Sequence, residues 1–326
     1  MAEPEDAAHD GDEFAIIERF FAPLATTPHA RGLRDDAALL DDLVVTVDTI
    51  VEGVHFLPTD PIETVARKAL RVNLSDLAAK GAAPAYYLLA LQWPDQRPVQ
   101  EIAAFAAGLA KDQAQFAVAL LGGDTTATPG PLAVTITAFG RPLGAHTPAR
   151  GDAQVGDDVW VSGVIGAGLL GLEAALGRAP AHVSPAECAV LVEHYRLPKP
   201  RVDLATVIAE HAHASMDVSD GLIADAVKIA AASGLALTID LADVPTPAIA
   251  QSWYGQAGVD RFALARGGDD YQILFTAPIG ARGALASVAT RIGAVEAGQG
   301  LSLRLGGVHV AHAGGGHVHR LGCNPR

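Results

Sequence analysis

The alternation of apolar and polar positions over LVVTVDTI (43–50) predicts a strand with Asp48 near its end. From Ile62 to about Lys80, apolar residues recur every three or four positions, the spacing of a helix. AYYLLALQW (85–93) predicts another strand, 100–115 a helix, FAVALLGGD (116–124) a strand running into Gly122, Gly123 and Asp124, and LAVTITAFG (132–140) a further strand. Around 141–158 the texture turns rich in Pro, Gly and Asp, as at a domain junction. Beyond it DVWVSG restarts a strand, helices are expected at about 167–177, 185–195, 201–213 and 220–232, and LALTIDL and YQILFTA supply strands. The pattern is mixed α/β in two halves. It divides into an acidic, disordered tail (1–12), an N-terminal domain (13–145) and a C-terminal α/β domain (146–326).

The helix beginning at Ile62 carries the sharpest clue. At 100° per residue, Ile62, Val65, Ala66, Ala69, Leu70 and Leu77 form one apolar stripe, and Asn73 and Asp76 fall inside it. A buried carboxylate is costly unless it faces a cation or several donors. Acids also end or follow apolar runs at Asp35, Asp36, Asp48, Asp124, Asp217, Asp220, Asp269 and Asp270. Taken singly, these are turn and cap chemistry, with Ser219 capping the helix that starts at Asp220. Taken together, carboxylates at strand ends and on a buried helix face converge on one cleft, where Mg²⁺ relieves their repulsion. Several such ions imply a polyphosphate ligand.

Composition narrows the partners. The net charge is -14 over 326 residues, but residues 1–18 hold seven acids and no Lys or Arg, so half the excess sits at the start. No basic run interleaved with aromatics is present, which argues against a nucleic-acid partner. No stretch reaches the roughly 18 apolar residues of a membrane span, and the acidic start is unlike a secretory leader. Two cysteines, Cys188 and Cys323, fit a reducing compartment, so a cytoplasmic location is expected. GVIGAGLLG (163–171) has G-x-G-x-x-G spacing, which by itself suggests dinucleotide binding, yet no strand with an acid about 20 residues on is predicted. His309, His312, His317, His319 and Cys323 lack zinc-type spacing, and His211 and His213 are expected on a helix surface.

The segments DTIVEGVHF (48–56), RKALRVNLSDLAAKGAAP (67–84), LLGGDTT (120–126), RLPKPR (196–201), MDVSDGL (216–222) and GGDDYQILF (267–275) resemble, in this order, the signatures of the thiamine-monophosphate kinase family. The resemblance spans about residues 13–276. It implies the two-domain fold of the aminoimidazole ribonucleotide synthetase superfamily, with N-terminal domains that form a β-barrel across a homodimer. It also implies Mg²⁺-assisted, ATP-dependent phosphorylation of thiamine monophosphate to thiamine diphosphate by direct in-line transfer, without a side-chain nucleophile or base. By matching position, Asp36, Thr46, Asp48, Asp76, Asp124, Asp217 and Asp220 correspond to the family's magnesium ligands. Phe116, Gly123, Asp124, Arg150 and Ser219 correspond to its nucleotide contacts, and His55 and Asp269 to its substrate contacts. The chain reads RDD at 34–36 where the family has GDD, and GGDDYQ where it has GGEDYE. Alternative readings are a superfamily relative with a different phosphate acceptor and, more distantly, an NAD-dependent oxidoreductase.

Overall fold

The computed structural model describes residues 13–311. The acidic tail at 1–12, and His312, His317, His319 and Cys323, lie outside the described residues. The first half runs α1 (Glu13–Ile16), β1 (Ala38–Leu40), β2 (Leu43–Val51), α2 (Ile62–Ala79), β3 (Ala82–Pro94), α3 (Glu101–Phe116), β4 (Ala119–Thr128) and β5 (Ala133–Pro142). The second runs β6 (Asp158–Val161), α4 (Ala167–Ala175), α5 (Pro185–Arg196), α6 (Ala205–His211), β7 (Ser215–Asp217), α7 (Leu222–Ser233) and β8 (Ala236–Asp240). It continues through α8 (Ile249–Tyr254), α9 (Arg261–Arg266), β9 (Ile273–Ala277), α10 (Arg282–Leu285), β10 (Thr290–Glu296), β11 (Gly300–Leu305) and β12 (Val308–Val310).

Each half holds one mixed sheet. The first has the order β1-β2-β5-β3-β4, antiparallel except for the parallel pair β3/β4. The second has the order β12-β11-β8-β10-β6-β9-β7, with β8 and β11 the parallel pair. The first sheet is open, with β1 and β4 as its edges, so a closed barrel is not formed within the described residues. None of the described helices is long and apolar enough to cross a membrane.

Helix α2 departs from the expected single stripe. Every residue from Val65 to Ala79 except Arg67 is buried, including Lys68, Arg71, Asn73, Ser75 and Asp76. The reason is its position. It packs on β2, β3 and β5 of its own sheet, on α3, and on α6, β7 and β9 of the other half. Both halves cover it, so polar side chains that a surface helix would turn to water are held between them. Arg71 is satisfied there by a two-point pair with Asp112 at 2.6 and 3.0 Å and by the carbonyl of Pro198 at 3.1 Å.

Other elements shift for local reasons. The expected strand at 116 begins at Ala119, because α3 runs through Phe116 and ends on left-handed Ala117. Gly122, Gly123 and Asp124 lie inside β4, which runs on to Thr128. The β3/β4 register slips between Tyr87 and Leu88, and a Cβ at Gly123 would lie 1.7 Å from the Leu89 carbonyl oxygen. The expected helix at 201–213 is a 3₁₀ turn (Val202–Leu204) followed by α6. His213 lies past its end, with Nδ1 2.9 Å from Asp157 Oδ1. Ser219 does not cap α7, whose N-cap is Gly221 at φ 112. A side chain at Gly221 would meet the Arg266 carbonyl oxygen at 2.8 Å.

Gly123→Ala is expected to lower stability by about 2 kcal/mol or more, measured by thermal or urea unfolding. Gly280→Ala, where a Cβ meets nothing within 4 Å, should be near neutral. Equal effects would count against the close strand approach at Gly123.

Candidate active site: a buried carboxylate cluster

The inner face of β2 begins the site. Val44, Thr46 and Ile50 are buried while Val47 and Thr49 are exposed, and the two-residue period puts Asp48 on the inner face beside Thr46. That face looks onto α2. The Thr46 hydroxyl donates to Asp76 Oδ2 at 2.6 Å, and the Asp48 amide donates to Asn73 Oδ1 at 3.0 Å. Asp217 arrives as the last residue of β7, and Asp36 from the loop before β1. Among the described residues, Asp36, Asp76 and Asp217 each offer a carboxylate oxygen, all within 4.8 Å of one another.

Their charges are managed unequally. Burial alone would raise the Asp36 carboxyl, but the Arg150 guanidinium and the Lys80 ammonium reverse this and hold it far below the usual carboxylate range. Lys80 Nζ lies 2.8 Å from Asp36 Oδ2, pairs also with Asp35, and is itself fully buried. Arg150 pairs with the other Asp36 oxygen. Among the described residues, no cation pairs with Asp76. Burial, then the charges of Asp48, Asp217 and Asp36, push it well above its ordinary value. Asp217 is driven the same way by burial and then by Asp36, while Asp48 is pushed up to about 6 by burial, Asp36, Asp220 and Glu13. The cluster is therefore an array of hard oxygen donors with more negative charge than its two flanking cations compensate, a donor set that fits Mg²⁺.

The remaining expected ligands are arranged differently. Asp220 Oδ2 lies 2.5 Å from Lys228 Nζ, which also holds buried Asp225 at 2.7 Å. Asp124 is exposed on edge strand β4 and does not join the converging carboxylates; its Oδ1 accepts the Thr125 amide at 2.9 Å. Thr46, besides Asp76, donates to the Asp36 carbonyl at 3.0 Å. Of the nucleotide candidates, Arg150 is at the cluster and Gly123 is on β4. Ser219 accepts the Asp269 amide through its carbonyl. Phe116 sits 5.4 Å under the Arg71 guanidinium and borders a groove of about 390 Å³ with Gln115, Ala117, Lys199, Pro200 and Val202. His55 Nδ1 accepts the Val51 amide at 3.0 Å, and Asp269 Oδ2 lies 3.0 Å from Lys68 Nζ.

The glycines at 166, 168 and 171 have a structural explanation. The carboxyl group of buried Asp270 accepts the Gly166 and Gly168 amides at 2.7 and 3.0 Å, so the start of α4 is already capped by its own chain. Side chains at 168 and 171 would run into the backbone of Asp269 and Leu191. The Gly166 and Gly168 amides are thus already taken up and not offered to a pyrophosphate, and the NAD reading lapses.

Lys80 and Lys228 were not singled out as site residues by sequence reasoning. Lys80 carried no visible signal, since a lysine ending a helix ordinarily reads as a solvent-facing cap; only burial against the second half reveals it.

Two sheets joined through a polar central helix, with acids delivered from both halves, define the class. Residues 34–141 match the domain family AIR synthase related protein, N-terminal domain, and 154–306 match its C-terminal domain. A Caulobacter vibrioides thiamine-monophosphate kinase is 47% identical over 277 residues, covering 82% of this chain and 77% of that relative. A Haemophilus influenzae thiamine-monophosphate kinase is 36% identical over 276 residues, covering 82% and 81%. The solved structure of AaThiL complexed with AMPPCP and TMP superimposes with TM-score 0.83 at 30% identity, covering 94% of this chain and 97% of that one. The chain belongs to the thiamine-monophosphate kinase family.

In the metal-free protein, Asp48, Asp76 and Asp217 hold folded-state pKa values above the ordinary 3.8, so the folded chain keeps protons that the unfolded chain has lost. Stability should fall as pH rises above about 4, the Asp48 share through about 6 and the Asp76 and Asp217 shares as those more strongly raised groups ionise. Asp36 has the opposite sign, and its contribution is lost only below about pH 4. Millimolar Mg²⁺ should therefore raise the melting temperature more at pH near 8 than near 5.5. Equal shifts at both pH values would contradict this charge balance.

Proposed function

We propose that this protein catalyses ATP-dependent phosphorylation of thiamine monophosphate to thiamine diphosphate. The observation that carries the reading is the meeting of Asp36, Asp76 and Asp217 in a chain of this family. An oxygen of the acceptor's phosphate attacks the γ-phosphorus, the bond from that phosphorus to the β,γ-bridging oxygen breaks, and ADP departs. A phosphate monoester oxygen is already anionic at neutral pH, so the attack needs no side-chain base.

Asp36, Asp76 and Asp217, with Asp48 and the Thr46 hydroxyl beside them, would hold Mg²⁺, and Asp220 and Asp124 complete the proposed set. Bound there, Mg²⁺ would screen the triphosphate and stabilise the charge of the transferring group. Arg150 would exchange Asp36 for a nucleotide phosphate. Lys228, 2.5 Å from Asp220, adds a second cation on that flank. Ser219 and Gly123 are proposed nucleotide contacts, and the groove beside Phe116 suits a planar base. His55 and Asp269 are assigned to the acceptor.

A homodimer is proposed from the edge of the first sheet. Strand β4 is exposed along its length, and Leu120, Leu121, Val47 and Leu88 add apolar side chains to the uncovered surface. Long exposed apolar edges invite pairing, and a second copy would cover this one and close the barrel. The division at about residue 145 and a cytoplasmic location belong to the same reading.

ATP consumption should be measured with thiamine monophosphate, thiamine and hydroxymethylpyrimidine phosphate side by side, with and without Mg²⁺. Turnover is expected with thiamine monophosphate and Mg²⁺ together. Asp76→Asn should lower kcat by about 100-fold or more. Turnover of free thiamine in preference to its monophosphate would overturn the acceptor.

A further inference from the structure

Lys68 is a lysine of helix α2 whose side chain is 2% exposed and far from bulk solvent. Its ammonium donates to the His55 carbonyl at 2.9 Å, lies 3.0 Å from Asp269 Oδ2, and sits 4.1 Å over the Tyr195 ring. Burying an ammonium is costly, and these three contacts, one to a carboxylate and one to an aromatic face, offset that cost. Such a residue earns its place only by fixing what surrounds it.

What it fixes is the segment that carries Asp269. The backbone is left-handed at Asp269 (φ 64) and at Tyr271 (φ 49), conformations that ordinary side chains disfavour. The Asp269 amide donates to the Ser219 carbonyl at 2.9 Å and the Tyr271 amide to the Val218 carbonyl at 2.8 Å, which ties the segment to the turn after Asp217. The Tyr271 hydroxyl donates to Asp269 Oδ1 at 3.1 Å, and Tyr271 also lies in the field of Asp48 and Asp217. Each Asp269 oxygen thus has one partner: Oδ1 the tyrosine, Oδ2 the lysine. The carboxylate is still 29% exposed. Tyr271, which feels the charges of Asp48 and Asp217, links it to the metal-type cluster.

We propose that Lys68 is a positioning residue of the acceptor flank: with Tyr271 it orients the Asp269 carboxylate so that its exposed edge receives the cationic organic part of the acceptor. The inference rests on the functional reading above. An acceptor that carries both a phosphate and a cationic ring needs opposite charges at its two ends. Asp269, which is not one of the three converging carboxylates, supplies the negative one. Because Lys68 works through Asp269, its removal acts on acceptor binding and leaves the nucleotide end alone.

The test is a double-mutant cycle in the full-length protein. Lys68→Met and Asp269→Asn should each raise KM for thiamine monophosphate roughly tenfold, with KM for ATP within about twofold of the parent. The double variant should be no worse than the more impaired single one, and Lys68→Arg should recover part of the loss. Multiplying effects in the double variant, or an equal rise in KM for ATP, would overturn the proposal. Should Lys68→Met lose its cooperative melting transition, Tyr271→Phe decides: it removes one hydroxyl from a ring packed in the core, and an unchanged KM for thiamine monophosphate would refute the arrangement. A parent protein that ignores thiamine monophosphate refutes the functional reading instead, so the two failures are separable.

Discussion

Repulsion among buried carboxylates is the constraint around which this structure is organised. Asp36, Asp76 and Asp217 approach one another with Asp48 beside them, in a region where water does little to screen them. The fold accommodates this by supplying cations on one side only. Lys80 and Arg150 keep Asp36 ionised, while Asp76 and Asp217 are left with raised proton affinity, Asp76 with a hydroxyl from Thr46. A protein built this way is strained in its electrostatics, a strain that the Mg²⁺ of the proposed function would relieve. Crowding acids in this way gives up stability for the sake of a site, as is common where function and stability compete.

Helix α2 transmits that constraint to the rest of the chain. It is the wall shared by both halves, and it carries Lys68, Arg71, Asn73, Asp76 and, at its C-cap, Lys80. Each of these reaches a different partner: Asp269 in the second half, Asp112 on α3, the Asp48 amide on β2, the Thr46 hydroxyl, and the Asp35 and Asp36 pair. A helix so used has no face for water. Its sequence mixes polar residues into every turn because the neighbours on all sides are protein.

Much of the architecture was readable beforehand. The strand over LVVTVDTI, the helix from Ile62 and the strand over DVWV all appear close to their expected places, because period-two and 3.6-residue patterns record which face is buried. The errors share a cause. Phe116 read as the start of a strand and ends α3, and Ser219 read as a cap and is not one; the glycines at 166–171, whose dinucleotide-type spacing lacked the acidic strand that should follow, are spacers for tight packing against Asp269 and Leu191. In each case a local signature has two physical explanations, and the choice depends on a neighbour distant along the chain.

By itself the sequence determined the elements, their two-part order and the carboxylates worth suspecting, since periodicity and residue chemistry are local properties of the chain. Only the tertiary structure decided which acids meet, that Asp124 stands on an exposed edge while Asp76 is interior, and that Lys68 and Lys80 are buried counter-charges rather than surface lysines. Electrostatic energy depends on separation in space and on exclusion of water, and neither quantity exists until the two halves close on α2.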